Sequence, residues 1–164
     1  MTEKTMKQIE NLKNQTIGVE VETNNITRKD AAKVAAEFFG TRRYENTADR
    51  NGYSTWSAWD AQGREWKFQK DVSIHGSDSQ KCELVTPILR YDDIETLQEL
   101  CRRLRKAGAK SDATRGCGVH IHIGAKGHTP QSLRNLANYA NSMVMRTFAW
   151  NKSIMLHFQI QKCA

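Results

Sequence analysis

The segment that decides the fold is GVEVE at residues 18–22, which lies within TIGVEVE at residues 16–22. Its apolar residues alternate with glycine and glutamate, and this alternation is typical of a β-strand with one buried face. Val19 and Val21 are therefore expected to face a core, whereas Glu20 and Glu22 lie on the opposite face. Because residues two apart on a strand are separated by about 6.5–7 Å, the two carboxylates are neighbours.

A second segment, CGVHIHIG at residues 117–124, has the same alternation. Three β-branched residues form its apolar face, and His120 and His122 lie on the other face. We expect the two strands to be neighbours in one sheet, with the glutamates and the histidines turned toward a common cation.

The rest of the chain predicts an α+β fold. Apolar residues recur at helical spacing in three segments. The first helix spans residues 28–39 after the N-cap residue Thr27, and the second spans residues 92–107. The third begins at Thr129-Pro130 and runs to Phe148. Residues 53–74 predict a β-hairpin with a turn at 61–64, and CELVT at 82–86 predicts a short strand. The order predicts a largely antiparallel sheet with all three helices packed on one face, where their apolar stripes are buried.

Length and composition limit the class of protein. The chain has 164 residues, of which 38% are hydrophobic and 26% charged, and its four cysteines have no zinc-binding spacing. These values predict a single soluble domain with reduced, mostly buried thiols. No segment is apolar enough for a signal peptide or a membrane span, so we expect a cytoplasmic protein. The net charge of +7 leaves nucleic-acid binding open, although a basic face that attracts any anionic ligand is the simpler explanation.

The paired glutamates and histidines predict a metal site. Two carboxylates side by side repel each other, and a divalent cation removes that cost. The alternative is that Glu20 and Glu22 are the hydrated face of a strand and that the histidines are a pH-sensitive surface pair. Glu83, within the otherwise apolar CELVTP, is either a further ligand or an exposed strand residue.

The composition of this ligand set indicates which metal it would hold. Carboxylates with one or two imidazoles suit Mg²⁺ or Mn²⁺ better than structural zinc, for which cysteines dominate. Because protein-bound Mg²⁺ usually binds substrate phosphates as well, an ATP-type ligand is the expected partner.

Four segments, in this order, resemble the putative amidoligase family, a group of glutamine-synthetase-like carboxylate–amine ligases. They are GVEVE at 18–22, DVSI at 71–74, CELVTPIL at 82–89 and CGVHIHIG at 117–124. The resemblance extends over residues 16–150. It implies a glutamine-synthetase-like catalytic fold that holds ATP and two or more Mg²⁺ or Mn²⁺ ions on the concave face of the sheet.

The resemblance also implies a role for each candidate residue. Glu20 and Glu22 would bind different metal ions, and Glu83 would be a further metal ligand. His120 would bind metal beside the γ-phosphate of ATP, and these four residues would form the catalytic set. His122 would lie near the nucleotide phosphates, which the metal ion on Glu22 would also help to bind.

The reaction that the resemblance implies is ATP-dependent. A carboxylate is phosphorylated to an acyl phosphate, and an amine then displaces the phosphate to give an amide, with peptide- or amino-acid-like substrates. Phosphoryl transfer mainly needs positioning and charge neutralisation, so a protein nucleophile is not required. Asp71 and Ser73, in the segment DVS, are expected to have only a supporting role.

Family members usually continue beyond the part that this chain matches, and they contribute later acidic and arginine residues. The resemblance therefore implies a polar N-terminal segment at 1–15, a partial amidoligase-like domain at 16–150 and a short tail at 151–164, truncated at the C-terminus. A homo-oligomer or a missing C-terminal half could complete the site. The alternatives are a catalytically inactive remnant that only binds metal or ligand, and a basic nucleic-acid-binding domain.

Overall fold

The computed structural model describes residues 1–48, 54–124 and 128–147. The elements within these ranges are helices α1 (Glu3–Lys13), α2 (Arg28–Phe38), α3 (Ile94–Lys106) and α4 (Pro130–Thr147), and strands β1 (Ile17–Thr23), β2 (Tyr44–Asn46), β3 (Trp56–Trp59), β4 (Glu65–Gln69), β5 (Cys82–Val85) and β6 (Val119–Ile123). None of the described helices is both long and apolar enough to cross a membrane.

The six strands form one sheet in the order β2-β3-β4-β5-β1-β6, and every neighbouring pair is antiparallel. The predicted α+β class and antiparallel sheet are confirmed. Strand β1 lies between β5 and β6, with Glu20 opposite His120 and Glu22 opposite Glu83. The two alternating segments are therefore neighbours, as their sequences predict.

Helices α2 and α3 cover one face of the sheet. Thr27 caps α2, since its hydroxyl oxygen accepts a hydrogen bond of 3.1 Å from the backbone N–H of Asp30. The buried side of α2 consists of alanines, which let the helix lie close to the strands. The larger core residues, which come from the strands and α3, include Trp66, Phe68, Leu84 and Leu100.

Helix α4 begins at the predicted proline, but the predicted burial of its apolar stripe is wrong for its described residues. Leu133 and Leu136 are only half-buried and Ala137 is exposed, and among the described elements α4 makes few contacts with the sheet or with the other helices. Phe148 and the tail at 151–164 lie outside the described residues.

Three further differences concern short or polar segments. Residues 3–13 of the predicted polar segment form α1, which Thr2 caps and which has no buried residue. Strand β2 has no counterpart in the sequence analysis, and residues 71–74 form a loop rather than an extension of the hairpin.

Cys82 and Cys117 are buried free thiols and Cys101 is half-buried, as expected, while Cys163 lies outside the described residues.

Candidate metal centre

The face of the sheet opposite α2 and α3 is polar, and the strand register aligns its side chains in rows. One row runs across four strands through Lys67, Val85, Glu20 and His120. The next row contains Gln69, Glu83 and Glu22. All five predicted site residues lie on this face, since His122 is two residues beyond His120 on β6.

Glu20 contacts both histidines of β6. Its Oε2 atom lies 3.0 Å from Nδ1 of His120, and its Oε1 atom lies 3.2 Å from Nε2 of His122. Burial lowers the pKa of His120, but the hydrogen bond to Glu20 and the charges of Glu22 and Glu83 outweigh burial, so this pKa is raised above its usual value. The contact of His122 lacks hydrogen-bond geometry, and both of its buried ring nitrogens have no hydrogen-bond partner among the described residues.

Glu22 is a buried residue, 3% exposed, and its carboxylate accepts hydrogen bonds from two loops outside β1. Its Oε2 atom accepts a hydrogen bond of 2.7 Å from the backbone N–H of Gly118. Its Oε1 atom accepts a longer one, of 3.3 Å, from the hydroxyl of Ser73. Both donors are neutral, so the charge of this buried carboxylate is not cancelled by them.

Glu83 is 4% exposed, so the alternative of an exposed strand residue is wrong. Its Oε2 atom accepts a hydrogen bond of 2.8 Å from Nε2 of Gln69. Burial and the nearby carboxylates of Glu20, Asp71 and Glu22 raise the pKa of Glu83 to about 7, despite the hydrogen bond from Gln69, which lowers it.

These side chains form two overlapping groups of potential metal ligands. One consists of Glu20, Glu83 and His120, the other of Glu22, Asp71 and Glu83, and within each group the ligand atoms lie within 4.8 Å of one another. Two ligands on the same Mg²⁺ ion, each about 2.1 Å from it, are at most about 4.2 Å apart. Small side-chain shifts would therefore bring the atoms of each group within reach of one ion. The oxygen-rich donor set fits Mg²⁺ or Mn²⁺.

Asp71, for which the sequence predicts only a supporting role, lies in the second ligand group, and its position depends on a loop. The backbone N–H of His75 donates a hydrogen bond of 2.8 Å to the carbonyl of Arg115, which joins the loop after β4 to the loop before β6. Gly116 has φ +78°, and a Cβ atom there would lie 2.7 Å from the carbonyl oxygen of Ser73. The motif DVSI was the available signal, but its alternation did not show which way Asp71 faces.

The geometry defines an α+β protein with an acidic, histidine-containing cluster on the open face of its sheet. A family model described as putative amidoligase enzyme matches residues 13–147, so the chain belongs to this family, as its motifs predict. The family is one of ligases that form amides. No curated protein and no solved structure matches the chain.

Proposed function

We propose that this chain, alone or as the N-terminal half of the enzyme, is an ATP-dependent ligase that joins a carboxylate to an amine on a glutamine-synthetase-like sheet. The observation that carries the proposal is the pair of overlapping ligand groups that share Glu83. A shared carboxylate between two ligand groups suits two neighbouring divalent ions, an arrangement that supports phosphoryl transfer.

The described side chains divide into two ligand sets. Glu20, Glu83 and His120 would hold one Mg²⁺ or Mn²⁺ ion, and Glu22, Asp71 and Glu83 the other. Bound to the triphosphate, these ions would neutralise charge that develops on the phosphoryl group.

His122 is suited to the nucleotide rather than to a metal ion. Its ring nitrogens are buried and make no hydrogen bond within the described chain. The side chain lines a cavity of about 310 Å³ beside Glu20. A phosphate oxygen placed in that cavity could accept a hydrogen bond from the imidazole, which would compensate for its buried position.

The reaction would follow two balanced steps. A carboxylate oxygen of the substrate attacks the γ-phosphorus of ATP, the bond to the bridging oxygen breaks, and ADP leaves. The amine nitrogen then attacks the carbonyl carbon of the acyl phosphate, phosphate departs with the bonding electrons, and the nitrogen loses a proton.

The cysteines that remain free and the need for ATP favour a cytoplasmic location.

Calorimetry with Mn²⁺, followed by ATP, tests the proposal. We expect wild-type protein to bind Mn²⁺ and then ATP, and Glu83→Gln to lose at least about tenfold in Mn²⁺ affinity because both ligand groups lose a charged member. Glu37→Gln is the matched control, since Glu37 is exposed on α2, on the other side of the sheet. Absence of Mn²⁺ binding, or equal binding by Glu83→Gln, would contradict the metal site.

Turnover separates the ligase from the inactive remnant. We expect phosphate release from ATP when a mixture of amino acids supplies both carboxylates and amines. Binding of Mn²⁺ and ATP without phosphate release would instead identify a binding module.

A further inference from the structure

Lys67 lies in the same row of the sheet as the candidate metal ligands Glu20 and His120. Lys67 is paired with Val85 on β5, Val85 with Glu20 on β1, and Glu20 with His120 on β6. The neighbours of Lys67 on β4, Trp66 and Phe68, are buried in the core, so alternation places the lysine on the polar face.

The ammonium group of Lys67 is only weakly engaged by the described chain. Its side chain is 43% exposed, and its ion pair with Glu65 has an N–O distance of 4.0 Å. An exposed contact of this length contributes little to stability, because solvent screens it and the side chain loses freedom in forming it. The lysine is therefore able to turn toward a ligand on the sheet without the loss of a strong contact.

Val85 lies between Lys67 and Glu20 in this row, and its side chain is shorter than theirs. Neighbouring strands are about 4.8 Å apart, so the Cα atoms of Lys67 and Glu20 are separated by about 10 Å. A lysine side chain extends along a flexible four-carbon stem and can cover about half of that distance. The cavity of about 310 Å³ is lined by Gly18, Glu20, Val85 and His122, together with Thr86 and Pro87, so it adjoins the row at Val85 and Glu20.

We infer that Lys67 binds an anionic oxygen group of the ligand that lies over Val85 and also contacts the metal ion held by Glu20. This inference rests on the proposed function. Val85 has no polar side-chain atom, so the lysine and the ion supply the charge that such a group requires. A carboxylate of the substrate and the terminal phosphate of ATP share this chemistry.

Binding measurements on three variants test the inference. Lys67→Met removes the charge, and Lys67→Arg keeps it. Lys33→Met is the matched control, because Lys33 also has an N–O distance of 4.0 Å to a carboxylate but lies on α2, behind the sheet. Each protein is titrated with Mn²⁺, and the Mn²⁺-loaded protein is then titrated with ATP, with ADP and, in the presence of ADP, with glutamate.

We expect Lys67→Met to weaken anion binding by about tenfold, while Mn²⁺ binds as tightly as before or more tightly. The opposite effects arise because an ammonium group attracts the anion and repels the cation. A loss for ATP but not for ADP would identify the terminal phosphate as the bound group, and a loss for glutamate alone would identify the carboxylate. Lys67→Arg should recover most of the affinity, and Lys33→Met should behave as wild type.

The inference would be overturned if Lys67→Met bound ATP and glutamate as wild type does. It would also be overturned if Mn²⁺ affinity fell along with anion affinity, since that result indicates a structural role. Absence of Mn²⁺ binding by the wild-type protein would contradict the proposed function, and with it this inference. Normal binding of Mn²⁺, ATP and glutamate by both wild type and Lys67→Met would refute only the role of the lysine.

Discussion

Two buried carboxylates in this protein, Asp60 and Glu83, have opposite electrostatic surroundings. Asp60 is 7% exposed and Glu83 is 4% exposed. Asp60 accepts hydrogen bonds of 2.8 Å from Nε of Arg64 and 3.0 Å from Nε1 of Trp66. Although burial alone raises the pKa of Asp60, these hydrogen bonds and the charge of Arg64 lower it overall. The pKa of Glu83 is raised to about 7.

The difference lies in the origin of the compensating charge. Arg64 also donates a hydrogen bond of 2.9 Å to Asp93, so one cation of the chain satisfies two carboxylates and fixes the β3–β4 turn to the start of α3. Around Glu83, the described side chains that act on its carboxyl group are the neutral amide of Gln69 and other acids. A cluster of acids that the described side chains do not neutralise is a candidate functional site, whereas a neutralised cluster stabilises the fold.

The largest expected effect is on the cluster around Asp60, whose charge Arg64 compensates. Asp60→Ala should lower the free energy of unfolding by about 3 kcal/mol, because it removes the acceptor of four hydrogen bonds. The side chains of Arg64 and Trp66 and the backbone N–H groups of Gln62 and Arg64 donate them. Urea denaturation measures this change. Glu37→Ala, which removes only an exposed ion pair of 4.0 Å, should change the same quantity by less than about 0.5 kcal/mol. Equal effects of the two changes would contradict the structural role of Asp60.

The loop that positions Asp71 should be the next most sensitive region. Gly116→Ala should cost about 2 kcal/mol and weaken Mn²⁺ binding, because the new methyl group would meet the carbonyl of Ser73 and strain a left-handed backbone. Gly63 has a similar φ of +76° but nothing within 4 Å of an added Cβ atom. Gly63→Ala should therefore cost only about 1 kcal/mol and leave Mn²⁺ binding unchanged. Similar Mn²⁺ affinities for both variants would argue against this loop as part of the centre.

The uncompensated cluster should produce a pH dependence of stability. The pKa of Glu83 is about 7 in the folded chain, against 4.5 for an ordinary glutamate, so the folded state keeps a proton that the unfolded state releases. Stability without metal should therefore fall by roughly 1–3 kcal/mol as the pH rises from about 4.5 to above 7. The raised pKa of His120 changes stability in the same direction, since the stability that it contributes is also lost as the pH rises.

Thermal denaturation across this pH range measures the effect. Glu83→Gln should flatten the slope, and Mn²⁺ should restore stability at pH 8 in wild type. A slope that is unchanged in Glu83→Gln would show that another group carries the pH dependence.

The smallest expected effect is at Ser73. Its hydrogen bond to Glu22 is long, 3.3 Å, so Ser73→Ala should change the free energy of unfolding by about 0.5 kcal/mol and Mn²⁺ affinity by only about two- to threefold. Calorimetry and urea denaturation measure both quantities. A loss as large as that of Glu83→Gln would mean that Ser73 itself is a ligand and that the two ligand groups are incomplete.

The sequence by itself predicted the strands and helices whose signal is local. Alternation identified β1 and β6 and the face on which Glu20, Glu22, His120 and His122 lie, because the side-chain period of a strand is fixed at two. The N-cap at Thr27 and the proline at the start of α4 located two helices for similarly local reasons. The family resemblance of the four motifs, which the family match confirms, also depends on residue identity and order alone.

Only the tertiary structure decided which neighbours each residue has. It placed Glu83 opposite Glu22 in a buried site and brought Asp71 to the same cluster through a loop held at Gly116. It also contains β2, whose three residues are too few to show a period. The described apolar residues of α4 are not buried as the sequence predicts. The physical reason is that periodicity gives the direction of a side chain, whereas burial, pKa and shared ligands depend on segments distant in sequence.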